Sequence, residues 1–127
     1  MQNAAARLIF RAPKSDHVSP LLQKLHWLPI RCRIEHKISS LCYNSLSGIG
    51  PQYLSDLTQV YTSCRCLRSS SDTRILKIPK VKTKSYGQRS FAYQGPIIWN
   101  KLPLEIRHQG KIDGLKQALK IYLFRFQ

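Results

Sequence analysis

Two clusters of side chains in this 127-residue chain have the spacing of chemistry. Cys32 and His36 stand four positions apart, which on a helix puts a thiol and an imidazole on one face, and Cys64-Arg65-Cys66 supplies two more thiols. Zinc modules close their coordination with a second pair at C-x2-4-C or H-x3-5-H spacing, and no such pair follows. The metal expectation is therefore none, with Cys42 read as a core residue. A cysteine-histidine nucleophile lacks any local signature that would choose among four cysteines and four histidines. The six acids, Asp16, Glu35, Asp56, Asp72, Glu105 and Asp113, are scattered over different segments. Paired-carboxylate and two-metal chemistry have nothing to build on, and the scattered acids read as caps or ion-pair partners. Gly48 and Gly50 precede Pro51 and read as turn residues, so no phosphate-cradling glycine loop is present. No catalytic residue and no cofactor are expected.

What remains is positive charge interleaved with aromatic rings. Twenty-one Lys and Arg against six acids give a formal charge of +15, and the pI of about 10.2 points to a polyanionic partner, the alternative being a solvated basic surface or one neutralised by another domain. The charge concentrates between Cys64 and Arg89, where eight basic residues meet one acid, Asp72. Arg65, Arg68, Arg74, Lys77, Lys80, Lys82, Lys84 and Arg89 are the candidate contacts to RNA or DNA phosphates, with Arg31, Arg33 and Lys37 as additional cations. Tyr86, Phe91, Tyr93 and Trp99 lie close by and have the chemistry to stack on bases. A competing role for Phe91, Ile97, Ile98, Trp99 and Leu102 is simple packing.

The elements that must position these groups read as helices. Asn3 to Arg11 is alanine-rich and stops before Pro13; Ser19 as N-cap and Pro20 at the first helical position open a helix through about Trp27. Ile30, Ile34, Ile38, Leu41, Cys42 and Leu46 follow three- and four-residue spacing, with Arg31, Arg33, Glu35 and Lys37 opposite. Gly48 stops that helix and Pro51 starts a short one carrying Tyr53, Leu54 and Leu57. "YTSCRCLRSSS", from Tyr61, reads as a loop. In "RILKIPKVKTK" Pro79 limits the run to an edge strand or extended segment. In "YGQRSFAYQGPIIWNKLPLEIR" Phe91 and Trp99 anchor, Pro96 starts a short helical turn and Leu102-Pro103 ends it. Ile112, Leu115, Leu119, Tyr122, Leu123 and Phe126 form the apolar stripe of a last helix, with Asp113 at its N-terminus and Gly110 and Gly114 weakening its start.

The fold expected is mainly α, a small domain of about four to six helices with a basic extended or β-hairpin-like segment near 72–86. It divides into a helical hairpin over 1–58, a basic loop or extended segment over 59–90, and an aromatic block with the C-terminal helix over 91–127. Its core would hold Trp27, Ile34, Ile38, Leu41, Phe91, Trp99, Leu102, Leu115, Leu119 and Leu123. A chain of this length forms one domain that buries about two-thirds of its unfolded surface. No apolar run approaches the ~20 residues needed to cross a bilayer, so no membrane partner is expected. "MQNAAARLIF" lacks the apolar core of a secretory signal, which points to an intracellular setting, nuclear or cytoplasmic, with free thiols.

Seven blocks in order, "LHWLPI" (25–30), "RIEHKI" (33–38), "GPQYLSDL" (50–57), "CLRSS" (66–70), "YGQRSF" (86–91), "GPIIWNKLPLEIR" (95–107) and "LKQALKIYLF" (115–124), carry a family likeness over nearly the whole chain. They resemble the C-terminal region, after the polymerase thumb, of LINE-type non-LTR retrotransposon reverse transcriptases. The resemblance implies a transposable-element origin, assistance in template RNA or target DNA binding, and upstream reverse transcriptase domains of the parent polyprotein as packing partners. It carries no catalytic residue over, because the family's endonuclease and palm aspartates have no counterpart in this sequence. It would also make the chain a shortened copy of an element. The function expected is a non-enzymatic remnant with nonspecific nucleic-acid affinity; the alternative is a structural or protein-interaction remnant with no nucleic-acid role.

Overall fold

The computed structural model describes residues 1–62 and 74–125. Its described residues form seven α-helices and no strand. The chain is therefore mainly α, and the helix count exceeds four to six because four-residue and six-residue turns are separate elements.

The first helix, α1 (Gln2–Phe10), ends where Arg11 turns left-handed at φ 49°, and α2 (Val18–Lys24) ends ahead of His26 at φ 53°. The two lie together over a small apolar seam of Ala6, Leu22 and Leu28. Gln2 Nε2 donates to the Leu28 carbonyl at 2.9 Å, and Lys24 Nζ lies 5.9 Å from the centroid of the Phe10 ring. Ser19 is not the cap of α2. The helix starts at Val18 with His17 as N-cap, which places Pro20 in the first turn, where the missing N–H has no intrahelical acceptor to lose.

The longest helix, α3, runs Ile30–Leu46, bounded by Pro29 and by Gly48 at φ +68°. It packs on α5 (Phe91–Asn100) and α7 (Ile112–Arg125). Between them lies the core: Cys42, Tyr43, Leu76, Trp99, Leu102, Ile106, Leu115 and Leu119, with Ile38 and Phe91 partly buried against it. Leu123 is buried, and Leu41 is half-buried. A short α4 (Gln52–Leu57) folds back on α3. Its Ser55 Oγ donates to the Ser45 carbonyl at 3.2 Å, Thr58 Oγ1 donates to the Leu54 carbonyl at 3.0 Å, and the Ser45 and Thr58 hydroxyls bond each other.

Three expected core residues are not in the core: Leu41 is only half-buried and lies outside it, and two others are exposed. Ile34 is 54% exposed and Trp27 36% exposed. The buried residues of α3 are Ser39, Ser40, Cys42, Tyr43 and Ser45, small side chains apart from Tyr43, and α5 comes closest at Cys42. A Cβ on Gly95 of α5 would stand 3.1 Å from Cys42 Sγ, so the two helices meet nearly backbone to side chain. Ile30 and Ile34 belong to the two turns that precede this contact and face solvent. Trp27 sits in the turn after α2, behind left-handed His26.

The turn around Pro96 is also different from expectation. Helix α5 opens five residues earlier, at Phe91 with Ser90 as N-cap, and carries Pro96 inside it. One backbone bond, to Ala92, is forgone. Asn100 ends the helix, and α6 (Leu104–Arg107) follows Pro103. Helix α7 starts at Ile112 with Asp113 in its first turn, two residues ahead of Gly114.

Candidate nucleic-acid interface

The extended segment beginning at Arg74 is held along both of its backbone edges. On one edge Tyr61 N donates to the Ile75 carbonyl and Lys77 N donates to the Gln59 carbonyl, both at 2.8 Å, forming an isolated antiparallel bridge between Val60 and Leu76. Extended backbone alternates its polar groups, so the intervening N–H and C=O of Leu76 point the other way. There the last two residues of α5 meet them. Asn100 Oδ1 accepts from Leu76 N at 2.9 Å, Asn100 Nδ2 donates to the Leu76 carbonyl at 2.8 Å, and Trp99 Nε1 donates to the Arg74 carbonyl at 2.7 Å. Pairing therefore runs between 59–61 and 75–77, and the basic segment forms no hairpin with itself among the described residues.

Fixing Leu76 in the core directs the following residues outward. Lys77, Lys80, Lys82 and Lys84 are all exposed at the surface. The segment then turns through a single 3-10 turn, Gly87–Arg89. Gly87 N donates to Thr83 Oγ1 at 3.0 Å, and a Cβ on Gly87 would lie 2.9 Å from the Cβ of Val81. Only a residue without a side chain lets the turn close on Val81. Ser90 Oγ donates to the Gly87 carbonyl at 2.7 Å, and Gln94 Nε2 reaches back to the Gln88 carbonyl at 2.7 Å. The turn leaves Tyr86 85% exposed, with exposed Arg89 three residues on.

The eight candidate cations thus separate. Lys77, Lys80, Lys82, Lys84 and Arg89 lie at the surface along 13 residues that contain no acid. Arg74 is turned inward instead, and its Nη1 donates to the carbonyls of Arg107 at 2.8 Å and Gln109 at 3.4 Å, where the end of α6 gathers partial negative charge. It ties the extended segment to the end of α6, unlike the five cations that follow it. Arg65 and Arg68, with Cys64 and Cys66, lie outside the described residues. Arg31, Arg33 and Lys37 are exposed on α3.

The aromatic set thins in the same way. Trp99 is fully buried with its N–H committed, Phe91 and Tyr93 are half-buried, and Tyr86 alone of the four offers an open ring. Tyr61, 47% exposed at the bridge, is an aromatic that sequence reasoning passed over. A single tyrosine in a serine- and threonine-bearing stretch gives no signal of that kind.

Among the described residues, the thiols and imidazoles do not gather into a site. Cys32 and His36 do share a face of α3, and both turn to the backbone of α7. Cys32 Sγ lies 4.0 Å from the Leu123 carbonyl, and His36 Nε2 lies 3.3 Å from the Lys116 carbonyl. Among the described residues no three His, Cys, Asp or Glu side chains are grouped to hold a metal ion. Cys42 is enclosed between α3 and α5, and burial pushes its thiol up to about 12. It stays protonated and unreactive at neutral pH.

No protein-family model, curated protein or solved structure matches the chain. The functional reading therefore rests on its own geometry and charge. No helix among the described residues is long and apolar enough to cross a membrane.

Proposed function

We propose that the chain is a non-catalytic nucleic-acid-binding segment, akin to the region after the thumb of LINE-type reverse transcriptases, that holds RNA or DNA by its backbone without reading sequence. The observation that carries this is the acid-free run Lys77, Lys80, Lys82, Lys84 and Arg89, at the surface beside Tyr86 on a segment clamped at Leu76 and Gly87. The cations neutralise phosphates and release condensed counterions, while the Tyr86 ring gives one base a face to stack on, a contact of about 1 to 3 kcal/mol. In the full-length parent, upstream reverse transcriptase domains would lie against the same chain. The setting proposed is intracellular, nuclear or cytoplasmic, in keeping with Cys32 and Cys42 as free thiols.

Fluorescence anisotropy with single-stranded RNA, single-stranded DNA and duplex DNA at several salt concentrations tests this. Engagement of five phosphates gives a slope of log K against log salt of about −4.5 on duplex and about −3.5 on single strands. Replacing Lys80, Lys82 and Lys84 by Glu weakens binding to all three probes and flattens the slope. Affinity that ignores salt, or that survives the triple replacement, rejects the proposal.

A second reading, a structural or protein-interaction segment with no nucleic-acid role, draws on the exposed Ile30 and Ile34. It requires binding of apolar dyes or oligomerisation and no salt-dependent affinity for nucleic acid.

A further inference from the structure

Away from the lysine segment, the start of α1, the turn after α2 and the first half of α3 line an open groove of about 1120 Å³, with Lys120 of α7 at its edge. Its floor is aliphatic and regularly spaced: Ile30, Ile34 and Ile38 recur once per turn along α3, and Trp27 and Leu28 also line it. That floor is accessible at its outer end, with Ile30 62% exposed and Ile34 54% exposed, and closes where Ile38 is partly buried against the core. Three residues at a four-residue interval extend about 12 Å, which is two turns of a facing helix. The charge around the floor has one sign. Arg33, Lys37 and Lys120 line the groove together with His26 and His36, and no Asp or Glu does.

We infer that this groove docks a short amphipathic helix whose apolar stripe is flanked by acidic residues, supplied by another protein. An apolar stripe at i, i+4 and i+8 would seat against Ile30, Ile34 and Ile38, and carboxylates beside it would meet Arg33, Lys37 and Lys120. The rim decides between occupants. A second copy of this chain, related by a two-fold axis, would bring these cations against their own images, on a molecule already carrying +15. The floor is led by Ile30, Ile34 and Ile38, with Trp27 only 36% exposed, whereas a nucleic acid stacks on open rings; and a flat bilayer does not fill a concave groove. The inference is independent of the lysine segment, which lies on other elements.

The test uses a fluorescein-labelled helix-forming peptide of about 16 residues with a Leu stripe at i, i+4 and i+8 and Glu on either side. Two controls accompany it: the same composition scrambled to break the stripe, and the same stripe flanked by Lys. Binding is read by anisotropy and by tryptophan emission, which reports Trp27 because Trp99 is fully buried. The acidic amphipathic peptide binds about tenfold or more tighter than either control. Ile34→Glu weakens it at least tenfold, as does Arg33→Glu with Lys37→Glu, whereas Lys82→Glu leaves it unchanged. Each of these side chains reaches solvent, so the circular dichroism of the variants stays that of the parent. Equal binding of the scrambled peptide overturns the inference, as does indifference to Ile34→Glu. So does sedimentation showing a dimer that Ile34→Glu dissolves, which assigns the groove to a second copy. Displacement of the peptide by single-stranded RNA from the Lys82→Glu protein assigns it to nucleic acid and overturns the inference equally.

Discussion

At the scale of single residues, Asn100 stands in for a missing strand. Its amide satisfies both the N–H and the C=O of Leu76, a residue only 1% exposed, so that water cannot take over if the side chain is lost. Asn100→Ala removes two hydrogen bonds and strands two buried backbone groups, at a cost of about 2 to 4 kcal/mol. Asn100→Asp keeps acceptance from Leu76 N, loses donation to the carbonyl, and falls between the two in a urea titration. Since Leu76 anchors the lysine segment, both variants also weaken nucleic-acid binding beyond what their charge explains. Cys42 offers a second check. Its folded thiol is pushed up to about 12 from an ordinary 9.0 by burial. Below pH 9 folded and unfolded states are both protonated and the thiol contributes no pH dependence. Between 9 and 12 the unfolded chain releases a proton that the folded chain keeps, so stability falls as pH rises through that range. The difference between the parent and Cys42→Ala isolates the thiol from every group the two proteins share. The parent's advantage is constant below pH 8 and shrinks from 9 upward; a constant difference to pH 11 would show that Cys42 is not shielded from water.

At the scale of elements, the contact of α3 with α5 is governed by what is absent from Gly95. Alanine there improves helix propensity by about 1 kcal/mol, but its Cβ would sit 3.1 Å from Cys42 Sγ, and Cys42 is fully buried. The sulfur has nowhere to go, so Gly95→Ala destabilises by about 1 to 2 kcal/mol. In a Cys42→Ala background the clash vanishes and the same substitution becomes neutral or stabilising, a non-additivity that thermal melts of the four proteins measure. This contact also explains which elements could be read ahead of the structure. Helix α3 was legible at both ends, because a periodic apolar run stood between Pro29 and a Gly at a left-handed position. Which of its faces turns inward was not legible. Hydropathy ranks Ile30 and Ile34 above Ser39 and Ser45, whereas close helix approach selects for small size and buries the serines. Pro96 misled in the same way: a proline suggests a helix start, but tertiary packing of Phe91 and Trp99 extends α5 through it. At the candidate interface, the closely spaced lysines 80, 82 and 84 were legible as surface cations, because so dense a run of like charge cannot be buried together. Arg74 was not, because the carbonyls it caps belong to the end of α6 and the turn after it, more than thirty residues away.

At the scale of the molecule, charge bears on stability and on the binding proposed above. Six acids can neutralise no more than six of 21 cations, so a charge of +15 persists whatever pairs form. The pair between Lys116 and Asp113 is long, 3.8 Å, and between exposed side chains, and such contacts contribute little. The folded state concentrates the cations in a smaller volume than the unfolded chain does, so their mutual repulsion opposes folding. Sodium chloride shortens the reach of that repulsion from about 30 Å at 0.01 M to about 10 Å at 0.1 M. The melting temperature therefore rises with salt over this range. A gain of about 1 kcal/mol moves the midpoint by about 3 to 6 °C in a chain of this size. Replacing Lys80, Lys82 and Lys84 by Glu lowers the net charge by six and leaves Leu76 and its clamp untouched, so the triple variant starts with a higher midpoint at low salt and gains less as salt is added. Single-stranded RNA at low salt raises the parent's midpoint, because a ligand that binds only the folded surface draws the equilibrium toward it. The RNA shift disappears in the triple variant, whereas a shift of equal size in both proteins would place the RNA on a surface other than the lysine segment. Nucleic-acid binding and salt then act against each other: salt that relieves the repulsion also returns the counterions that binding had released, and the RNA-dependent shift fades over the range in which the salt-dependent one grows.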